Sequence, residues 1–142
     1  MFQATLAKEI VVKTENDVGV LWDISRTVAE RGVDILAVGA WVEGKQGVVR
    51  LVTDDNLRAR EALEKKGYTP REETAVLVDL AHKPGLLKHM TEPLMKEALD
   101  IQHLYGSALG EQEKCLIVFS CSNNERSVVL LNKAPQVLEK AV

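Results

Sequence analysis

Alternating apolar and polar positions mark two strands that lie far apart in the chain. Every second side chain of Ile10–Thr14 falls on one face, and Val76–Leu80 repeats that pattern. A period of two is typical of a β-strand with one buried face. Both segments lead into a short turn that contains a glycine, so each is predicted to be the first strand of a similar unit.

A helix is predicted after each of these turns. Leu21, Ile24 and Val28 are spaced by three and four residues, which gives one apolar stripe along a helix. The matching segment Leu86–Glu97 contains Pro93, which removes one helical hydrogen bond and clashes with the preceding turn. The pattern therefore predicts a kinked or broken helix there.

Two hairpins follow the helices. Ile35–Val42 and Val48–Thr53 flank one polar loop that contains glycine, and Ile101–Leu109 and Lys114–Phe119 flank another. Glycine-containing polar loops of this length are typical of antiparallel hairpins.

A second helix and a closing strand complete each unit. The helices are expected to start at Asp55 and at Ser122–Glu125, where serine and glutamate have capping-box spacing. The closing strands are expected near Tyr68–Glu72 and Gln136–Lys140. We also expect Thr69–Leu80 to run from one unit into the next with almost no linker.

The order βαββαβ occurs twice, because shifting the chain by 66 residues aligns the halves without a gap. Gly19 then meets Gly85, and Val52 meets Val118. The predicted fold class is α+β, with two tandem ferredoxin-like domains at residues 1–72 and 73–142. The usual form of this unit is an antiparallel sheet with both helices on one face.

Composition narrows the class of protein. The chain is 46% hydrophobic and 27% charged, with a net charge of −3. Neither half is basic, so nucleic acid is not an expected partner. No signal peptide or apolar run of about 20 residues is present, so no membrane is expected either. Cys115 and Cys121 are interpreted as small buried thiols of a cytoplasmic protein, and neither a metal nor a cofactor is expected.

Three functions of this fold can be set aside from the residues. RNA-recognition modules stack bases on aromatic side chains of their first and third strands. In the predicted third strands of this chain, only Phe119 is aromatic. A metal carrier would need cysteines in the first turn. An acylphosphatase-like site would need an arginine there. Neither turn has either residue.

The turns themselves carry the strongest signal. Asn16–Leu21 and His82–Leu87, followed by Gly32–Ile35 and Ala98–Ile101, resemble the ACT domain family. Its pattern is Asp/Asn-x-Pro-Gly-x-Leu before the first helix and Gly-Val-Asn/Asp-Ile before the second strand. The resemblance covers about residues 8–72 and 74–140. Val18 replaces the usual proline, and His82 replaces the usual Asp or Asn.

The resemblance implies that two domains pair side by side through their second strands into one eight-stranded sheet. It implies a regulatory protein without catalytic activity that binds a free amino acid at the seam between the domains. The helix amino terminus would hold the carboxylate, and Asp34 or Asp100 the ammonium group. The implied ligand contacts are Asn16, Asp17, Val18, Gly19, Val20, Leu21, Asp34, Ile35, His82, Lys83, Pro84, Gly85, Leu86, Leu87, Asp100 and Ile101.

Structural interpretations of these residues remain open. Each aspartate can instead cap a helix or fix the entry to a strand, and each glycine can simply satisfy its turn. Asn16 can serve a local Asx turn. Trp22 and Trp41 are interpreted as packing residues that could also line the seam.

The strand Ile35–Val42 has apolar side chains on both faces, although only one face can meet helices. An uncovered apolar face indicates an interface, so we expect a homodimer. The competing function is a subunit that acts by protein contacts alone on a metabolic enzyme, similar in role to the small subunit of acetolactate synthase. An enzyme using His82 or His103 with Asp100 is disfavoured, because no catalytic set recurs in both halves.

Overall fold

The computed structural model describes residues 2–81, 83–107 and 114–133. These residues form six strands and four helices. In chain order the elements are β1 (Gln3–Glu15), α1 (Val20–Ala29), β2 (Ile35–Glu43), β3 (Gln46–Thr53), α2 (Asn56–Lys65), β4 (Arg71–Ala81), α3 (Leu86–Lys96), β5 (Ile101–Ser107), β6 (Lys114–Cys121) and α4 (Asn124–Lys133). In the described part of the chain, no helix has the length and apolar character needed to cross a membrane.

The chain divides into two compact units. The first unit is Lys8–Glu73, and the second consists of residues 2–7 with the described residues from Thr74 onward. The long strands β1 and β4 therefore contribute residues to both units. Membership of residues 2–7 in the second unit is not something that the sequence repeat predicts.

The first unit has the strand order β2-β3-β1-β4, with β1 and β2 both antiparallel to β3. Its core lies between one face of this sheet and helices α1 and α2. The buried residues of this core are Ile10, Val12, Ile24, Val28, Val33, Val49, Leu51, Ala59 and Leu63. Alternate residues of β1 and β3 pack against the apolar faces of α1 and α2. This arrangement of a sheet with helices on one face is the ferredoxin-like one expected from the sequence.

The second unit has the strand order β1-β4-β6-β5. Residues 3–7 of β1 occupy the place beside β4 that a closing strand fills in this topology. Phe2 and Ala4 lie in the core together with Met90 and Phe119. The Asn132 side chain accepts a hydrogen bond from the Ala4 amide (2.9 Å) and donates one to the Ala4 carbonyl (3.0 Å). This amide pairs with the strand much as a neighbouring backbone would.

The expected eight-stranded sheet is wrong. The described residues form six strands, and the second strands do not pair with each other, since β2 pairs with β3 and β5 with β6. Each second strand is an edge strand of its unit. The strand expected near Gln136–Lys140 lies outside the described residues. The expected continuous strand between the units is confirmed as β4.

The two halves do not align without a gap. Ile10 faces Leu51 in the first unit, and Val76 faces Phe119 in the second. First strands are therefore offset by 66 residues but third strands by 68. The match of Val52 with Val118 is wrong by two residues, because the second hairpin is two residues longer than the first.

Helix boundaries bear out part of the sequence prediction. Helix α2 starts at Asn56, as expected, and Asp55 caps it by accepting a hydrogen bond from the Arg58 amide. The capping box at Ser122 is wrong: Asn123 accepts from the Arg126 amide (3.0 Å), while the Ser122 hydroxyl accepts from the Asp100 amide (3.1 Å). The helix with Pro93 is not broken, because α3 is continuous over Leu86–Lys96.

Candidate functional site

The first turn of the first unit is built around a glycine. Gly19 has φ 93° and ψ 0°, a left-handed conformation that favours glycine, and it directly precedes α1. The Asn16 amide donates to the Lys45 carbonyl (2.9 Å), which ties the turn to the β2–β3 hairpin. Val18 stands at the tip of the turn and is fully exposed. The turn is therefore held at its base and open at its tip.

An open pocket of about 410 Å³ lies beside this turn. The turn and the start of α1 form one wall, and the hairpin ends of β2 and β3 form the other. We call it the first turn pocket. Its lining residues are Asn16, Asp17, Gly19, Val20, Leu21, Trp22, Ala40, Trp41, Val42, Gly47, Val48 and Val49. It includes every predicted contact residue of the first turn except Val18.

The electrostatics of this pocket suit a ligand that carries one negative and one positive group. No side chain caps α1 at Gly19, and the first amides of a helix have no partner within it, so they favour an anion. Asp17 supplies a carboxylate at the same turn, and the described lining contains no Lys, Arg or His. A carboxylate at the helix and an ammonium group at Asp17 would both be stabilised.

Both tryptophans of the chain border the first turn pocket, but the strand register places the Trp41 side chain, opposite Val48, on the sheet face away from α1. Trp22 is 64% exposed, so it is not the packing residue that the sequence indicated. Its ring has the Arg26 guanidinium 4.7 Å from its centroid. The Trp41 indole donates to Glu43 (2.8 Å), which fixes that ring. Leu21 is also half-exposed and lies outside the core.

The second unit has a corresponding pocket of about 360 Å³ at its own first turn. We call it the second turn pocket. Gly85 is again left-handed, with φ 84°, and again no side chain caps the helix. The described lining is Lys83, Pro84, Gly85, Leu86, Leu87, Leu104, Gly106, Ser107, Cys115 and Ile117. It has a lysine in place of Asp17 and no tryptophan. His82 lies outside the described residues.

Cys115 is the only cysteine in the described lining of either pocket. Burial raises the pKa of its thiol, and the nearby Asp79 carboxylate raises it further. The thiol therefore stays protonated at neutral pH, and a protonated thiol is a poor nucleophile. Both cysteines are free and buried, as expected.

The other predicted contact residues lie apart from the turns. Asp34 and Ile35 border a shallow pocket with Trp22, Arg26 and Val33. Asp100 and Ile101 border another with Leu94 and Leu99. The backbone amide of Asp34 donates a hydrogen bond to the Asp54 carboxylate (2.9 Å). The backbone amide of Asp100 donates one to the Ser122 hydroxyl. Within a unit, neither aspartate lines the turn pocket, and the hydrogen bond at each strand entry is donated by the backbone amide of the aspartate.

A polar network behind the first turn pocket has no clear sequence signal. The Arg50 guanidinium pairs with Glu9 (3.2 Å) and Glu73 (2.8 Å), and Glu9 is fully buried. Arg50 also lies over the Trp41 ring, 5.8 Å from its centroid. These residues are far apart in the sequence, and they come together only through the register of strands β1, β2 and β3. No cluster of three or more potential metal ligands occurs in the part of the chain that the structure describes.

Two ferredoxin-like units, each with a pocket between an uncapped helix and an edge hairpin, define the class of proteins built from paired βαββαβ-type modules. The chain belongs to the ACT domain pair family, whose model matches residues 5–142. The resemblance seen in the sequence is thereby confirmed. ACT domains are regulatory and often bind amino acids. A search among curated protein sequences finds no match.

Solved structures share the fold at low sequence identity. Protein BT0572 from Bacteroides thetaiotaomicron is 22% identical with a TM-score of 0.81, over 92% of this chain and 90% of that chain. The ligand-free regulatory subunit of aspartate kinase from Thermus thermophilus is 14% identical with a TM-score of 0.65, over 92% and 95%. Aspartate kinase from Clostridium acetobutylicum is 15% identical with a TM-score of 0.57, over 94% of this chain and 33% of that enzyme.

Proposed function

We propose that this protein is a non-catalytic regulatory chain that binds a free amino acid in the first turn pocket. The observation that carries the proposal is the uncapped start of α1 beside the Asp17 carboxylate, inside one pocket. The helix amides would receive the ligand carboxylate, and Asp17 its ammonium group. Membership in a family of regulatory modules supports a binding role over a catalytic one.

The proposal moves the ammonium acceptor from Asp34 to Asp17. Asp17 lines the first turn pocket, whereas Asp34 borders a different one. Both carboxylates belong to the same unit, so they form a matched pair for mutation. Asp17→Asn should weaken binding of the amino acid at least tenfold, and Asp34→Asn should change it little.

Thermal unfolding with each of the twenty amino acids at millimolar concentration tests the function. A ligand at 100 times its dissociation constant stabilises by about 2.7 kcal/mol, which raises the melting temperature by several degrees in a chain of this size. Tryptophan fluorescence gives a second signal, because the exposed Trp22 borders the first turn pocket. If no amino acid changes either signal, the ligand-binding function is wrong.

The edge strand β2 favours a second candidate function through protein contacts. Leu36, Val38 and Val42 are about half exposed. Val38 faces Leu51, a core residue, so it lies on the helix-side face of the sheet but beyond the helices. Such an apolar edge suits pairing with another chain, either a second copy or a metabolic enzyme. The regulatory subunit of aspartate kinase offers a precedent for a separate chain of this fold.

Light scattering tests the proposed homodimer. The wild type should have twice the mass of one chain, and Val38→Lys should shift it to the monomer. Leu57→Lys is the control, because Leu57 is exposed on α2 of the same unit. A wild-type monomer at high concentration would contradict dimerisation. A dimer without any amino-acid response would favour the contact-only subunit.

A further inference from the structure

We infer that the last turn of α3 is a hinged flap that opens while the rest of the second unit stays folded. We call residues 93–99 the α3 flap. The inference is independent of the proposed amino-acid binding, because the second turn pocket lies at the opposite end of α3. It is carried by the backbone conformation of Ala98, by Pro93, and by a salt bridge between Glu97 and Arg126.

Ala98 has an unfavourable backbone conformation. Its φ is 54°, and among the described residues it is the only one other than glycine with a positive φ. This left-handed conformation is strained for a residue with a β-carbon. The first unit has Gly32 (φ 72°) at the same place, where glycine relieves the strain.

Hydrogen bonding does not explain the difference between these two turns. The Ala98 amide donates to the Met95 carbonyl (3.0 Å). In the same way, the Gly32 amide donates to the Ala29 carbonyl (2.9 Å). The backbone therefore follows the same path at the ends of α1 and α3, and the β-carbon of Ala98 makes that path less stable in the second unit.

Pro93 weakens the connection between the α3 flap and the helix before it. Proline has no amide hydrogen, so Pro93 cannot donate the helical hydrogen bond to the His89 carbonyl. At the matching place in α1, Thr27 has an amide, and its hydroxyl also donates to the Asp23 carbonyl (2.7 Å). The α3 flap therefore begins at a point where the helix has lost a hydrogen bond.

A salt bridge holds the α3 flap closed. The Arg126 guanidinium of α4 donates two hydrogen bonds to the Glu97 carboxylate, at 2.7 and 2.6 Å. These bonds hold the pKa of Glu97 below its ordinary value, so the pair stays charged at neutral pH. The first unit has Arg31 and Arg58 at the matching places, and there Arg58 donates to the Arg31 backbone carbonyl (3.4 Å). Two like charges replace the ion pair, next to a turn that has no strain to oppose.

The α3 flap covers the end of the core where Cys121 lies. It borders an open pocket of about 450 Å³, whose lining includes Leu94 and Ile101. Cys121 faces Ile101 across the β5–β6 pair and is buried in the same core as Leu94. Cys115 lies at the other end of β6 and lines the second turn pocket at the start of α3. Opening of the flap therefore exposes Cys121 and leaves Cys115 covered.

The flap gives the second unit an element that can respond to its surroundings. A segment that opens at low free-energy cost is one whose position a bound partner or ligand can set. The Glu97–Arg126 pair is partly exposed, so dissolved salt screens it. Higher ionic strength should therefore shift the flap toward its open form.

The test measures how fast N-ethylmaleimide, an uncharged reagent, labels each free thiol of the full chain at fixed pH. Peptide mass spectrometry separates Cys121 from Cys115. Ala98→Gly and Pro93→Ala should each slow labelling of Cys121 about fivefold, because the first removes strain and the second restores a hydrogen bond. Arg126→Gln should speed it at least about threefold. In every variant the labelling rate of Cys115 should stay within about twofold of the wild type.

Two control variants isolate the causes. Ala98→Ser keeps a β-carbon and hence the strain, and Arg58→Gln changes the matching arginine of the first unit, so both should leave labelling of Cys121 within about twofold. About 1 M sodium chloride, where the screening length is about 3 Å, should speed labelling of Cys121 in the wild type but not in Arg126→Gln.

Hydrogen exchange gives an independent measurement of the same opening. The Leu99 amide, which donates to the Leu94 carbonyl (2.9 Å), should exchange more slowly in Ala98→Gly, whereas the Ser127 amide of α4 should not change. Unchanged labelling of Cys121 in both Ala98→Gly and Arg126→Gln would overturn the flap. Equal changes at Cys115 and Cys121 would also overturn it, because they indicate unfolding of the whole unit.

Discussion

Replacing Phe2 with alanine tests whether residues 2–7 are part of the second unit. The Phe2 side chain is only 6% exposed and lies in the core of that unit. Truncating a buried phenylalanine costs about 3–5 kcal/mol, through lost transfer free energy and the cavity that remains. We therefore expect Phe2→Ala to lower the free energy of unfolding by about 3 kcal/mol. A residue in a frayed segment would cost almost nothing.

Urea unfolding followed by circular dichroism measures this loss. With a slope of about 2 kcal/mol per molar urea, the midpoint should fall by about 1.5 M at unchanged slope. Leu6→Ala is the matched control, since Leu6 lies in the same strand segment but is 47% exposed. Its cost should stay below about 1 kcal/mol. Equal and small losses for both variants would refute the placement of this segment in the core.

Three further predictions concern the polar contacts. Arg50→Met should destabilise the chain by about 3 kcal/mol, because it removes the guanidinium that forms an ion pair with the buried Glu9 carboxylate; urea unfolding should show part of this loss recovered by adding Glu9→Gln, and no recovery would count against the pair. Asn123→Ala should cost about 1 kcal/mol as a lost helix cap, whereas Asn123→Asp should keep the stability; equal losses would contradict the cap. Burial, and then the hydrogen bond to Asp23, raise the pKa of Tyr68 from 10.0 to about 12. Since the folded state resists this ionisation, its stabilising effect is complete below pH 10 and is lost as pH rises toward 12; a near-ultraviolet titration in which Tyr68 ionises near 10 would contradict it.

The local elements and their order could be predicted from the sequence. Periodicity placed the helices and hairpins, and Asp55 marked the start of α2 because a helix start depends on residues close along the chain, such as Asp55 and Arg58. The glycines at positions 19 and 85 were identified for the same reason, because a left-handed turn is a local demand on the backbone. The family followed from these turns, since its pattern is local too.

The site was only partly predictable. The turn residues Asn16–Leu21 largely line one pocket, but Asp34 does not join them there. Asp34 and the turn lie at opposite ends of α1, a separation that motif order does not reveal. The roles of Trp22 and Trp41 depend on exposure, which amino-acid type alone does not fix.

The sequence by itself determined the order of the helices and hairpins, their turns and the family, because each depends on contacts between near neighbours in the chain. Only the tertiary structure decided which strand closes which unit. Phe2 and Ala4 are far from Asn132 in the sequence. In the structure, both pack into the core of the second unit, and Ala4 is hydrogen-bonded to the Asn132 side chain. Strand pairing over such distances is set by which edge and which apolar pocket remain unfilled after the local elements form. The choice between alternative strand pairings depends on the whole chain, so a local sequence pattern does not predict it.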